Sequence, residues 1–165
     1  MIRMKQPARR LTLFAFATAA LFAAMLLVAP FPILDTQPGL TADSVYRSLG
    51  QLSASQLSRY RVMLALDVLF PLAYAGFLVT ACQAIAKRKP RLGVLCRIGG
   101  AAAIAAALID YVENSFIIII LQAFPEPVFA AGLVGFVTSV KWSVVGVAVL
   151  VCVVALVLPV SDREG

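Results

Sequence analysis

One apolar segment, residues 101–121, constrains the fold of this chain most strongly. It reads AAAIAAALIDYVENSFIIIIL and is long enough to cross a bilayer as a single helix. Its interior nevertheless contains Asp110, Glu113 and Asn114. An ionised side chain at the centre of a membrane costs about 3 kcal/mol on insertion scales, so such residues usually face a bundle interior and mark a functional site. The segment therefore predicts a polytopic membrane protein with a buried acidic site.

The composition of the chain also indicates a membrane protein. Of its 165 residues, 62% are hydrophobic and 13% are charged, whereas a soluble domain has roughly 45–50% apolar and about 25% charged residues. The length suits one domain, residues 1–165, with four membrane helices of about 20 residues each. We therefore predict an all-α, four-transmembrane-helix bundle with spans at about 11–29, 60–86, 92–122 and 128–158.

Basic residues at the ends of these spans predict the orientation. They are Arg3, Lys5, Arg9 and Arg10 before the first span, and Lys87, Arg88, Lys89 and Arg91 between the second and the third. Lysine and arginine are enriched in cytoplasmic loops, so we expect both termini inside and residues 31–60 outside, in a multi-pass protein of the cell (inner) membrane. This distribution explains the net charge of +6 without a nucleic-acid partner. Binding of anionic lipid headgroups by the second group is the functional alternative.

The longest polar connection, residues 31–60, contains a predicted short helix. Thr41 can cap it, and its apolar side chains share one face, namely Val45, Leu49 and Leu52. This pattern is typical of an amphipathic helix on the outer membrane surface, over the mouth of the bundle. We favour an ordinary loop helix over a functional lid. Ser53 and Gln56 have the spacing of a capping box, so the helix of the second span should begin outside the membrane.

The second span contains a polar face around a proline. Asp67, Pro71 and Tyr74 recur at spacings of four and three residues, so they lie on one side of a helix. Pro71 has no N–H to donate to the carbonyl of Asp67. We therefore expect a helix kink at Pro71, where a carboxylate and a freed carbonyl lie together. In lipid, a neighbouring helix, a water molecule or a cation must satisfy them.

Small residues accompany the acidic groups. In the third span, Gly99, Ala103 and Ala107 continue the face of Asp110 and Asn114, because these residues recur at steps of three or four. The fourth span has a second stripe of small residues: Gly132, Gly135, Ser139, Ser143 and Gly146. Small side chains let helices approach closely, so the acidic face should pack against another helix and avoid lipid.

Helix geometry places the polar groups of three spans at similar depths. At about 1.5 Å per residue, they lie roughly 10–20 Å below the outer ends of their spans. The candidate binding residues are Asp67 and Tyr74 in the second span, Asp110, Glu113 and Asn114 in the third, and Lys141 in the fourth. Because the depths agree, these side chains can line one cavity open to the outside.

The charges of this set do not balance. Asp67, Asp110 and Glu113 outnumber Lys141, and a buried cluster cannot readily hold two uncompensated negative charges. Either a carboxyl stays protonated, or a cation fills the site, or water enters it. Asp110 and Glu113 are one turn apart, so their titrations should be coupled. The alternative is a structural network in which Lys141 pairs with one carboxylate while Asn114 and Tyr74 satisfy the rest.

The motifs D-x-x-F-P-x-x-Y, from Asp67 to Tyr74, and D-x-x-E-N, from Asp110 to Asn114, resemble a pattern in small, four-helix, uncharacterised bacterial membrane proteins. The resemblance covers about helices 2 to 4. It implies the same four-helix topology and marks the same polar residues, and it brings no known activity with it.

The remaining chemistry of the chain is sparse. It has no histidine, so His-based acid–base catalysis and His-containing metal or haem sites are excluded. Cys82, Cys96 and Cys152 form no C-x-x-C pair, and we expect free structural thiols toward the cytoplasmic side. We predict no cofactor and no metal site.

Three functions follow from these features. The first is binding of a proton, a cation or a small cationic ligand in the acidic cavity, for transport or sensing. The second is a structural or assembly subunit whose small-residue stripes contact a membrane partner or a second copy of the chain. The third is a lipid-modifying enzyme with carboxyl acid–base groups, which we rank last because Ser-based, metal and phosphate-binding motifs are missing from the sequence. We favour a non-enzymatic role.

Overall fold

The computed structural model describes residues 5–159 and is 84% helical, with no strand in that range. In chain order the helices are α1 (Lys5–Val28), α2 (Ala42–Gly50), α3 (Ala54–Asp67), α4 (Phe70–Arg88), α5 (Gly93–Ala123) and α6 (Ala130–Val157), with 3-10 turns at Leu34–Thr36 and Pro90–Leu92. Four segments are long and apolar enough to cross a membrane: Ala8–Val28, Ala54–Arg88, Pro90–Ala123 and Ala130–Val157. The predicted all-α bundle of four spans is confirmed. Arg3 and residues 160–165 lie outside the described residues.

The second span is interrupted just before Pro71, where we expected a helix kink. The structure ends α3 at Asp67 and begins α4 at Phe70, while Val68 and Leu69 between them keep right-handed helical dihedral angles. Pro71 lies in the first turn of α4, where its missing N–H leaves no helical bond unmade. The Val68 carbonyl instead accepts a hydrogen bond of 2.8 Å from the Tyr111 hydroxyl. Pro71 therefore marks a helix break, and a side chain of α5 satisfies one of the carbonyls exposed there.

The predicted caps of the two polar helices are confirmed. Thr41 caps α2, and its side chain accepts a hydrogen bond from the Ser44 N–H in a capping box. Ser53 and Gln56 form a second capping box at the start of α3, where the Ser53 N–H donates to the Gln56 side chain at 2.8 Å. Both boxes satisfy N–H groups that a helix end leaves free.

Residues 29–53 cover one end of the bundle, which we call the α2 end. Two apolar residues of α2, Val45 and Leu49, are buried there, as the amphipathic pattern predicts. The Tyr46 hydroxyl accepts a hydrogen bond from the Val128 N–H at 2.7 Å and donates one to the Glu126 carbonyl at 3.2 Å. The short helix is thus bonded to the turn between α5 and α6, and is part of the bundle.

A close backbone contact fixes the same segment to α6. Gly39 adopts a positive φ of 77°, which glycine accommodates without strain, and its N–H donates to the Gly135 carbonyl at 3.0 Å. A Cβ at Gly135 would collide with the Leu40 backbone. Of the predicted small-residue stripe on α6, Gly135 is therefore a point of close approach, whereas Gly132 and Gly146 have open space around their Cα atoms.

The helices leave one side of the bundle open. α5 packs extensively against α4 and α6, and α1 packs mainly against α4 and α3. The predicted small-residue face of α5 lies in this packing, with Ala103 and Ala107 buried and Gly99 against Val151 and Cys82. Because α1 is attached through α3 and α4, a gap remains between α1 and α6.

Basic side chains cap the carbonyl ends of the helices. Arg59 donates to the carbonyls of Leu27 and Val28 at 3.0 and 2.7 Å. Arg61 donates to the Leu121 carbonyl at 3.1 Å. These bonds satisfy acceptors that the last turns of α1 and α5 leave free.

The opposite end of the bundle, residues 87–92, is here called the basic end. The Lys89 ammonium donates to three carbonyls at the end of α6, those of Ala155, Leu156 and Leu158. The Lys89 ammonium therefore caps the C-terminal end of α6. Binding of anionic headgroups by the basic loop stays a prediction. Cys82, Cys96 and Cys152 lie near this end and are free thiols, as expected.

Candidate functional site

A buried ion-pair cluster joins α5 to α6. The Lys141 ammonium pairs with Asp110 at 3.4 Å and with Glu113, and all three side chains are at most 7% exposed. The Thr138 hydroxyl contacts the other carboxylate oxygen of Glu113 and lies 2.9 Å from the Val134 carbonyl. Asp110 and Glu113 are one turn apart on α5, as are Thr138 and Lys141 on α6. Helical spacing therefore brings four polar side chains together.

Asp35, which sequence reasoning did not select, extends this cluster from the turn Leu34–Thr36. Its backbone carbonyl accepts a hydrogen bond from the Trp142 indole at 3.0 Å and lies 3.4 Å from the Lys141 ammonium. Its side chain is 6% exposed, and the Oδ1 atom has no hydrogen-bond partner within residues 5–159. Asp35 thus adds a third buried carboxyl to this cluster, and its backbone carbonyl also contacts the Lys141 ammonium.

Tyr60 holds this turn in place. A tyrosine at the end of a membrane span often lies in the aromatic belt at the membrane surface, but Tyr60 is completely buried. Its hydroxyl accepts a hydrogen bond of 2.9 Å from the Leu34 N–H. The first turns of α3 therefore position Asp35, which follows Leu34 directly.

Burial changes the acidity of Asp35. Desolvation raises the pKa of its carboxyl from the ordinary value of 3.8 to about 7, because the charged form loses its hydration. The positive charge of Lys141 opposes this rise, and the negative charges of Asp67 and Glu113 add to it. Asp35 therefore titrates near neutral pH.

A second set of polar groups lies beside the ion pairs. Asp67, at the end of α3, interacts with Asn114, and Tyr74 of α4 interacts with Asp110. Yet one carboxylate oxygen of Asp67, the Tyr74 hydroxyl and both amide atoms of Asn114 lack a well-formed hydrogen bond within the described chain. All of these side chains are at least nine-tenths buried. These buried polar atoms can each form a further hydrogen bond, and a partner that supplies it would be bound favourably.

Asp67 and Tyr74 line one end of a cavity of about 290 Å³. Its polar lining consists of Asp35, Thr36, Asp67, Tyr74, Asp110 and Lys141. The rest of the wall is apolar and comes from α1, α4 and α6, including Phe22, Leu26, Phe77, Val145 and Val149. Glu113 and Asn114 do not line the cavity. The prediction of one cavity lined from three spans thus agrees with the structure for four of the six candidates, and the other two adjoin it.

The cavity opens on the side of the bundle. Its exposed apolar lining residues are Phe22 and Leu26 on α1 and Trp142 and Val149 on α6, each about half exposed. The exposed Thr36 lies at the α2 end of the same opening. We expected a cavity open to the outside. It instead faces sideways, because residues 29–53 cover the end of the bundle while α1 stands apart from α6.

Sequence reasoning missed Asp35, Thr138 and Trp142. Thr138 could have been found, because it lies one turn before Lys141 on the same helix face. Asp35 has a weaker signal: it follows the apolar pair Ile33 and Leu34, which is unusual in an exposed loop.

The charges of this buried site do not balance. Four buried carboxyls, those of Asp35, Asp67, Asp110 and Glu113, face the single ammonium of Lys141. Lys141 can neutralise one of them, and uncompensated buried charge is strongly unfavourable. Within residues 5–159, no three His, Cys, Asp or Glu side chains are close enough to share a metal ion.

Comparison with protein families, with curated proteins and with solved structures gives no match to this chain.

Proposed function

We propose that this protein binds a cation, either a proton or a small cationic ligand, in the acidic cavity, and that this binding serves transport or sensing. We further propose a bacterial inner-membrane location, on the resemblance to small bacterial membrane proteins, with the basic end in the cytoplasm, on the distribution of lysine and arginine. The short motifs from Asp67 to Tyr74 and from Asp110 to Asn114 belong to the same proposal, since their acidic and tyrosine side chains line or adjoin the cavity.

One observation carries this proposal: the cavity has more buried carboxyls than positive charges. Lys141 already pairs with Asp110 and Glu113, so Asp35 and Asp67 have no further ammonium among the cavity-lining residues. Each must be protonated, hydrated or paired with a cation from outside the chain. The first and the third of these states make the site responsive to protons or other cations, whereas hydration alone does not.

A purely structural role explains these residues less well. Buried ion pairs are costly, and apolar side chains of similar volume are often more stable in their place. The Lys141 cluster alone would join α5 to α6. Asp35 and Asp67 add negative charge without a compensating partner and therefore weaken such a network, whereas they strengthen a cation site.

Thermal unfolding in an uncharged detergent tests the proposal. Sodium chloride is replaced stepwise by potassium or tetramethylammonium chloride at constant total salt, and the series is repeated at several pH values. A cation that binds only the native state raises its stability, by about 2.7 kcal/mol at a hundredfold excess over its Kd. We expect the wild type to show a cation-dependent shift of Tm that is lost in Asp67→Asn, or a proton-dependent shift that is lost in Asp35→Asn.

Asp43→Asn is the matched control, because Asp43 is exposed on α2 and lies away from the cavity. It should respond as the wild type does. Identical salt and pH responses of the wild type, Asp67→Asn and Asp35→Asn would contradict the proposed function.

A further inference from the structure

The acidic groups and the apolar wall of the cavity are arranged in sequence along the bundle. Asp35, Asp67 and Lys141 lie toward the α2 end, and the lining of α6 then continues through Val145 to Val149. Eight residues from Lys141 to Val149 correspond to about 12 Å along the helix. The cavity therefore has a charged end and an elongated apolar part, as a pocket for an amphiphile would.

The opening provides a route from the bilayer. The half-exposed side chains at its rim, Leu26 on α1 and Trp142 and Val149 on α6, are apolar or aromatic. They lie on segments that cross the membrane, so lipid chains would cover the opening. A ligand with an apolar tail can enter sideways without leaving the hydrocarbon region.

The charges select the head group. Unpartnered oxygens of Asp35 and Asp67 and the Tyr74 hydroxyl all belong to side chains that line the cavity and are at least nine-tenths buried. A cationic donor would satisfy them. A phosphate would find only Lys141 as a cation in the lining, and Lys141 is already bound to Asp110 and Glu113.

We propose that the ligand of this site is a single-chain cationic amphiphile, which enters laterally between α1 and α6 and places its ammonium head at Asp35 and Asp67. This inference rests on the proposed function and names its ligand class. The tail lies along Val145 and Val149, and a part that exceeds the cavity extends through the opening into the bilayer.

Trp142 offers a direct assay, because it is the single tryptophan of the chain and stands at the rim of the cavity. Its fluorescence in an uncharged detergent is titrated with brominated alkyl chains of one length that differ only in the head group: trimethylammonium, phosphocholine or sulfate. Bromine quenches tryptophan fluorescence on contact, so a chain that is bound in the cavity lowers the fluorescence of Trp142. We expect saturable quenching by the trimethylammonium compound and at least tenfold weaker binding of the other two.

Two variants of α6 form a matched pair for this assay. Val145→Phe narrows the cavity and should abolish the saturable quenching. Val147→Phe makes the same change at a half-exposed position outside the lining and should leave the saturable quenching unchanged.

Asp35→Asn tests the head-group site. It should weaken binding of the trimethylammonium compound about tenfold or more without affecting the sulfate compound.

The outcomes separate the two proposals. Equal quenching by all three head groups, or undiminished saturable quenching in Val145→Phe, overturns the inference. A Tm response to tetramethylammonium without saturable quenching by the brominated compound also overturns it, and leaves the proposed function standing. Absence of every cation and proton response overturns both.

Discussion

At the scale of residues, Lys141 is the positive centre of the site. It forms ion pairs with Asp110 and Glu113, and its ammonium lies 5.5 Å from the centre of the Trp142 ring. Removing one partner of a buried ion pair costs far more stability than replacing both partners by apolar side chains, because the remaining charge is left buried without an opposite charge. Lys141 is therefore needed to compensate the negative charge of the carboxyls around it.

Lys141→Met should destabilise the protein by about 3–5 kcal/mol at alkaline pH, and by less at acid pH, where protonation relieves the unpaired carboxyls. Lys141→Arg, which keeps the charge, should cost less than Lys141→Met. Adding Glu113→Gln to Lys141→Met should recover part of the loss. Thermal unfolding in detergent measures all four proteins. Equal stability of the wild type and Lys141→Met would show that the ion pairs contribute nothing.

Asp35 makes stability depend on pH with a defined sign. Its native pKa of about 7 lies above the ordinary 3.8, so between these pH values the native state binds more protons than the unfolded state. Stability therefore falls as pH rises from about 4 to about 7 and stays reduced above that. Asp35→Asn should remove this penalty.

At about 1.36 kcal/mol per pH unit, the gain of Asp35→Asn over the wild type at pH 8 has an upper limit of about 4 kcal/mol. The gain should approach zero near pH 4. Unfolding of both proteins at the two pH values measures it, with Asp43→Asn as the exposed control. An equal difference at both pH values would argue that the Asp35 carboxyl is not the cause.

At the scale of elements, helical geometry explains what the sequence could predict. Asp67, Asp110 and Lys141 belong to spans whose rise per residue is fixed, so counting from the span ends gave comparable depths. The capping residues Thr41 and Ser53 could also be predicted, because a cap depends only on residues that are close in the sequence. The interruption before Pro71 was predictable as a kink, because proline cannot donate to the carbonyl four residues earlier.

The contribution of the loop could not be predicted in this way. Asp35 lies in a segment with no regular period, and its burial depends on the bond from Leu34 to Tyr60 and on the covering of the α2 end by residues 29–53. Neither depends on spacing along one helix. The sideways opening likewise follows from how α1 packs against α3 and α4, which no single span encodes.

The close approach between α6 and the first loop makes a prediction at this scale. Gly135→Ala places a Cβ against the Leu40 backbone and should destabilise the protein by about 1–3 kcal/mol, because backbone must move to admit it. Gly146→Ala is the matched control on the same helix. No atom lies within 4 Å of its added Cβ, and helix propensity should stabilise it by about 0.5–1 kcal/mol. Equal effects on Tm would contradict the close contact.

At the scale of the whole molecule, the proposed orientation places the α2 end outside and the basic end in the cytoplasm. Single cysteines at two exposed positions test it, Gln51→Cys at the α2 end and Arg88→Cys at the basic end, in a background without Cys82, Cys96 and Cys152. An impermeant thiol reagent applied outside the cytoplasmic membrane should label the first and reach the second only after permeabilisation. The reverse pattern would overturn the orientation.

The molecule as a whole is a membrane bundle whose acidic cavity carries more negative charge than its single lysine can balance. Because burial raises the pKa of Asp35 to about 7, part of that charge should be neutralised by an exchangeable proton at physiological pH.

Infrared difference spectroscopy across a pH titration tests this claim most directly. We predict a protonated-carboxyl band that disappears as pH rises through about 7, is lost or much reduced in Asp35→Asn, and persists in Asp43→Asn. An ordinary Asp or Glu is already ionised between about pH 5 and pH 9. If the spectra show no carboxyl that titrates in this range, the proposed exchangeable proton is contradicted.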